Sequence, residues 1–85
     1  MIEFQHTVKD PNGMHARPAG LFVKTLAPFS SEVTVHYGEK SVSGRKLIAL
    51  LALSIKCGDT VTVTVSGEDE KKAAEALRVY LDSHL

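Results

Sequence analysis

Two residues in one short run can do chemistry together. Gly13-Met14-His15-Ala16-Arg17-Pro18-Ala19 sets a histidine and an arginine one residue apart, where a loop becomes a helix. Pro11-Asn12-Gly13 upstream is a turn cluster. Downstream, Ala19, Phe22, Val23 and Leu26 follow the i, i+3, i+4, i+7 spacing of one buried helix face. His15 therefore stands at, or just before, the first helical residue. The first amides of a helix have no partner within it, and the macrodipole puts partial positive charge there. Such an end suits an anion, phosphate above all. A helix end and a guanidinium both disfavour a protonated imidazole, so they help keep His15 a neutral nucleophile. Once a phosphoryl group is attached, the same groups stabilise its charge, through the Ala16 and Arg17 amides and the Arg17 side chain. The residues alone leave two readings open: a phosphoryl acceptor, or an ordinary exposed histidine beside a helix cap.

The elements that position this pair can be read from hydrophobic period. Ile2, Phe4, His6 and Val8 alternate with polar residues, which predicts a half-buried strand. A helix follows over Ala16 to Ala27, with Pro18 in its first turn and Pro28 ending it. Val33, Val35 and Tyr37 alternate as a second strand, Gly38-Glu39 turns, and Lys40 to Ser43 completes a hairpin. Arg45 to Ile55 has no breaker and predicts a short helix. After the Gly58-Asp59 turn, Val61, Val63 and Val65 alternate with Thr60, Thr62, Thr64 and Ser66 as the clearest strand. Glu68, Asp69 and Glu70 open the last helix, where acidic side chains suit the positive end. Its apolar face is Ala73, Ala74, Leu77, Tyr80 and Leu81. Strands with one polar face favour an antiparallel sheet, and the helices must cover the other face. The fold class expected is a two-layer α+β sandwich in a single domain over residues 1–85.

Composition removes several functions. The 10 basic and 10 acidic side chains cancel, whereas a nucleic-acid binder needs a basic stripe. The single cysteine, Cys57, builds no disulfide framework and has no metal-binding partner in sequence. Met1 to His6 lacks the basic start and apolar run of a signal peptide, and no stretch approaches the ~20 apolar residues of a membrane span. A cytoplasmic protein without membrane insertion is expected, and nothing calls for an oligomer, so a monomer is expected. No histidines or carboxylates have metal-ligand spacing, no glycine-rich nucleotide loop is present, and no cofactor is implied.

The run Leu47-Ile48-Ala49-Leu50-Leu51-Ala52-Leu53 is apolar nearly all round. A short helix buries one stripe, so part of this one is expected on the surface as a partner site. His6, on the apolar face of its strand, reads as a half-buried histidine with its hydrogen bonds satisfied. His36 and His84 read as surface residues, and Glu68-Asp69-Glu70 reads as helix capping.

At this point the motif resembles the active-site signature of the HPr family, the histidine-containing phosphocarriers of the bacterial phosphotransferase system. The resemblance covers the whole chain: length, element order, the Val33 to Lys40 hairpin, the short helix Leu47 to Leu53, and Gly67-Glu68-Asp69-Glu70 leading into the last helix. It implies a four-stranded antiparallel sheet covered on one face by three helices, in the order βαββαβα. It implies a carrier rather than an enzyme, with His15 taking a phosphoryl group on Nδ1 from phospho-enzyme I and passing it to enzyme IIA of a sugar permease. Arg17 would interact with the phosphate. The partner surface would map onto Ala16, Gly20, Lys24, Leu47, Ile48 and Leu51. One position departs from the family: where Firmicute-type members carry a regulatory serine, this chain has Lys46. Seryl phosphorylation at that position is excluded, and Arg45 with Lys46 is expected to make the helix start basic and attractive to acidic partners. Two alternatives stay open: a paralogue serving a nitrogen-type or dihydroxyacetone-kinase relay, and a non-catalytic regulatory module that docks through Leu47, Ile48 and Leu51.

Overall fold

The alternating valines place one face of every strand toward the helices. The computed structural model describes residues 1–85. It runs β1 (Ile2–Thr7), α1 (Ala16–Leu26), β2 (Glu32–Tyr37), β3 (Lys40–Ser43), α2 (Leu47–Ala52), β4 (Thr60–Ser66) and α3 (Glu70–His84). The strands form one sheet in the order β1-β4-β2-β3, every pair antiparallel. Phe4 and Val35 both pair with Val63, which puts them on one face of the sheet. That face meets the helices in a core of 20 buried hydrophobic residues, including Phe22, Leu26, Val63, Leu77 and Leu81. Thr62 and Thr64, pointing the other way, stay half-exposed. No helix is long and apolar enough to cross a membrane.

Two helices are shorter than periodicity suggests. α2 covers Leu47–Ala52 rather than Arg45 to Ile55. Lys46 is extended (φ −107°, ψ 102°), and Ser54 sits in the left-handed region at φ +55°, so the backbone leaves the helix at both ends despite the leucines. α3 begins at Glu70 rather than Glu68. The Glu70 carboxylate accepts the Gly67 amide at 3.2 Å, but Asp69 does not cap the helix with its side chain. Its carboxylate turns across to the segment before β2. There it accepts the Ser30 amide at 2.9 Å, the Ser31 amide at 3.0 Å and the Ser31 hydroxyl.

His6 is more deeply placed than expected, and it is not satisfied. It is 6% exposed on edge strand β1. Nδ1 lies 3.6 Å from Asp82 Oδ1 on α3, and Nε2 is buried without a hydrogen-bond partner. α3 packs over β1 at this point, closing the ring off from water without offering a second acceptor or donor.

The Asp69 link has a pH signature. Hydrogen bonds from the Ser31 hydroxyl and then the Ser30 amide hold its carboxyl below the usual carboxylate value. A carboxylate lowered by folding contributes stability above its unfolded pKa and loses that contribution as pH falls through the folded value. Asp69→Ala should therefore lower the urea midpoint at neutral pH. The gap to the parent chain should close as pH drops through the acid limb, as followed by circular dichroism over a pH series.

Candidate functional site

The site begins with backbone geometry. His15 is the N-cap of α1, extended at φ −110°, ψ −177°, and its side chain makes no capping hydrogen bond. Its carbonyl already accepts the Ala19 amide at 3.0 Å. The helix is thus started by the His15 backbone, and the ring is left free for other work. The Ala16 and Arg17 amides open the helix with no acceptor inside it, while Pro18 has no amide to satisfy. The buried side chains Pro18, Ala19, Phe22 and Leu26 fix the helix to the core. Ala16 and Arg17 are exposed, and the His15 side chain is 40% exposed.

His15 and Arg17 line an open pocket of about 260 Å³ with Asp10, Asn12, Tyr80 and His84. Asp10 Oδ2 is 3.5 Å from His15 Nε2. Tyr80 donates its hydroxyl to the Pro18 carbonyl at 2.8 Å, tying α3 to the first turn of α1. Its ring stacks on His84, with centroids 5.2 Å apart. Burial first, and the Asp10 charge second, push the Tyr80 phenol above its usual value.

Three of these residues escape a reading by motif. Tyr80 reads only as core, His84 reads only as surface, and Asp10 attracts no notice. The i, i+4 spacing of Tyr80 and His84 was the available signal for the stack. For Asp10 the signal was Asp-Pro-Asn-Gly, a turn in which an aspartate accepts the amide two residues on. Asp10 Oδ1 does accept the Asn12 amide, at 2.8 Å.

The expected partner residues separate into two kinds. Ala16 and Lys24 are exposed and Gly20 is half-exposed, at four-residue steps along one face of α1. Ile48 on α2 is 76% exposed. Leu47 and Leu51 are only half-buried and pack against the core, so part of the apolar run is structural. Leu21, 42% exposed and beside the pocket, adds an apolar residue that periodicity does not single out.

Arg45 requires a correction. It does not present charge to partners at the start of α2. Its guanidinium reaches back to three carbonyls, Leu26 at 3.1 Å, Phe29 at 2.7 Å and Ser31 at 2.8 Å. Leu26 ends α1 and its oxygen also accepts the Phe29 amide at 3.0 Å, while Phe29 and Ser31 lie beyond the helix, so the side chain closes the α1–β2 turn. Lys46 remains exposed as the α2 N-cap.

A family model described as the PTS HPr component phosphorylation site matches residues 2–83. The chain belongs to the HPr family. Phosphocarrier protein HPr of Buchnera aphidicola is 41% identical over 81 residues, covering 95% of each chain. HPr from Thermoanaerobacter tengcongensis superposes with a TM-score of 0.92 at 35% identity, covering 98% of this chain and 93% of that one. Crh of Bacillus subtilis, an HPr relative solved as a swapping-domain dimer, matches with a TM-score of 0.78 at 33% identity, covering 100% of this chain and 98% of its own. The open-faced sandwich of four antiparallel strands and three helices is the HPr fold.

The corrected role of Arg45 is measurable. Hydrogen bonds to a charged donor are worth about 1.5–3 kcal/mol, and loss of a guanidinium serving three carbonyls belongs in that range. Arg45→Ala should destabilise the chain by about 2 kcal/mol in equilibrium urea unfolding. Lys46→Ala should change it by less than about 0.5 kcal/mol.

Proposed function

We propose that this chain is a phosphocarrier whose His15 takes a phosphoryl group from phospho-enzyme I and passes it to enzyme IIA domains of sugar permeases. The observation that carries the reading is the His15 ring at the start of α1. It is half-exposed, makes no capping bond, and stands beside two free amides and the Arg17 guanidinium. The neutral ring attacks phosphorus through Nδ1, and the donor's bond to phosphorus breaks with its electron pair. Arg17 and the Ala16 and Arg17 amides then hold the phosphoryl oxygens by charge-assisted hydrogen bonds. The site is shallow and open, which suits a carrier: binding the bound state too tightly would slow onward transfer.

Docking uses the exposed rim. Ala16, Gly20 and Lys24 run along α1 from the histidine, Ile48 is exposed on the neighbouring α2, and Leu47 and Leu51 pack α2 against the core. The exposed Lys24 and Lys46 favour acidic partner surfaces. Residues 1–85 act as one domain, in the cytoplasm and as a monomer, with every group of the site supplied by one chain. The chain itself is a carrier and not a catalyst. Lys46 removes the seryl control point of Firmicute-type members.

Incubation with phosphoenolpyruvate and enzyme I, followed by intact-mass analysis, tests this directly. The chain should gain the mass of one acid-labile phosphoryl group, and His15→Ala should gain none. Phosphate on the His15→Ala variant would overturn the assignment of the site. A folded parent chain that takes no phosphate beside a competent control would favour the binding-module reading, to which the likeness to Crh lends support.

The docking surface has its own test. Ile48→Glu should lower kcat/KM for phosphoryl exchange with enzyme I or enzyme IIA by about tenfold or more, as loss of a central apolar contact does. Its unfolding midpoint should stay close to that of the parent, because the side chain is 76% exposed. Normal exchange kinetics in this variant would remove Ile48 from the interface.

A further inference from the structure

A neutral imidazole carries its proton on one ring nitrogen and keeps a lone pair on the other. Only the nitrogen with the lone pair can attack phosphorus. The choice is set by what the protonated nitrogen faces. In His15 that neighbour is a carboxylate, since Nε2 lies 3.5 Å from Asp10 Oδ2.

Asp10 is not a loose surface group. Its second oxygen, Oδ1, accepts the Asn12 amide at 2.8 Å. Its carbonyl accepts the Gly13 amide at 2.8 Å, and its own amide donates to the Leu85 backbone oxygen at 3.0 Å. Three hydrogen bonds thus fix the residue, and one oxygen is left to point at the ring. Arg17, Tyr80 and His84 are the other titratable or charged groups around the same pocket.

We propose that Asp10 is a positioning residue for His15, holding the ring proton on Nε2 so that Nδ1 is the nucleophile. The proposal rests on the phosphocarrier reading of His15 and adds to it the origin of the choice between nitrogens. In the transfer, the Nδ1 lone pair forms the new N–P bond while the donor's bond to phosphorus breaks and its electron pair leaves with the donor. The Nε2 proton stays in place. The phosphorylated ring therefore carries positive charge, and the Asp10 carboxylate offsets it. On transfer to the acceptor the N–P bond breaks, its electron pair returns to Nδ1, and the ring is neutral again. A separation of 3.5 Å is long for a charge-assisted hydrogen bond, and the charge gained by the ring should shorten it.

Long-range proton–nitrogen NMR of the histidine rings, above the pH at which they protonate, reads the tautomer without any phosphoryl donor. In the parent chain, His15 should be mainly the Nε2–H form. Asp10→Asn keeps an oxygen for the Asn12 amide, so its NH₂ faces Nε2. That nitrogen must then accept, and the proton should move to Nδ1. Asp10→Ala removes the bias without reversing it. Acceptance of phosphate should accordingly fall further in Asp10→Asn than in Asp10→Ala, by about tenfold or more against the parent. An Nδ1–H ring in the parent overturns the proposal, as does an unchanged Nε2–H ring in a folded Asp10→Asn chain. A parent chain that takes no phosphate would sink the phosphocarrier reading by itself, while the tautomer measurement would still decide the role of Asp10.

Discussion

The close approach of Gly13 to the backbone of Ile55 and Lys56 governs where the histidine stands. Gly13 adopts φ +66°. A Cβ there would sit 2.4 Å from the Ile55 carbonyl oxygen and 2.8 Å from Lys56 Cα. Only glycine serves both the left-handed backbone and the close contact. The next residue completes the docking: the Met14 amide donates to that same Ile55 oxygen at 2.9 Å, and its side chain is buried. The platform is itself braced. Asp59 Oδ2 accepts the Tyr37 hydroxyl at 2.5 Å and the Lys56 amide at 2.9 Å, which holds the Asp59 carboxyl below its usual range. Val8 and the turn exchange bonds as well, the Val8 amide to Asp59 and the Gly58 amide to Val8, each at 2.8 Å. The position of His15 is therefore an outcome of the sheet and the β4 approach, not of its own loop alone.

From that anchor the chain divides its labour. One side of α1 is committed to the core through Ala19, Phe22 and Leu26, and the other carries the ring, Arg17 and the exposed Ala16 and Lys24. The Tyr80 hydroxyl joins α3 to α1 at its first turn. Rigid backbone beneath and open solvent above suit the proposed carrier role, in which two partners would meet the same group in turn. In that role, preorganisation would keep the His15 ring in place and exposure would keep a bound phosphate reachable.

Strands and site differ in how far they could be read from the chain. Alternation of valines and threonines is a local signal, so β4 and the β2–β3 hairpin were legible residue by residue. His15 and Arg17 were legible because a turn cluster, a proline and an apolar stripe locate a helix start within a few residues, and the motif resembles a known family. The contacts that brace them were not. Arg45 bonding past the end of α1, Asp69 leaving its own helix for Ser30 and Ser31, and His6 losing a partner under α3 each depend on segments far apart in sequence. Composition shows the charge but not which way the side chain turns. Leucine content likewise suggested a longer α2, whereas its length is set by the backbone at Lys46 and Ser54.

The central claim is that the Nδ1 atom of His15 carries the transferred phosphate. Phosphorus–nitrogen correlation NMR on ¹⁵N-labelled protein, charged with phosphoenolpyruvate and enzyme I, addresses that atom directly. A single phosphorus signal coupled to Nδ1 of His15 is the predicted result. Phosphorus on Nε2, on another histidine or on a serine would contradict it.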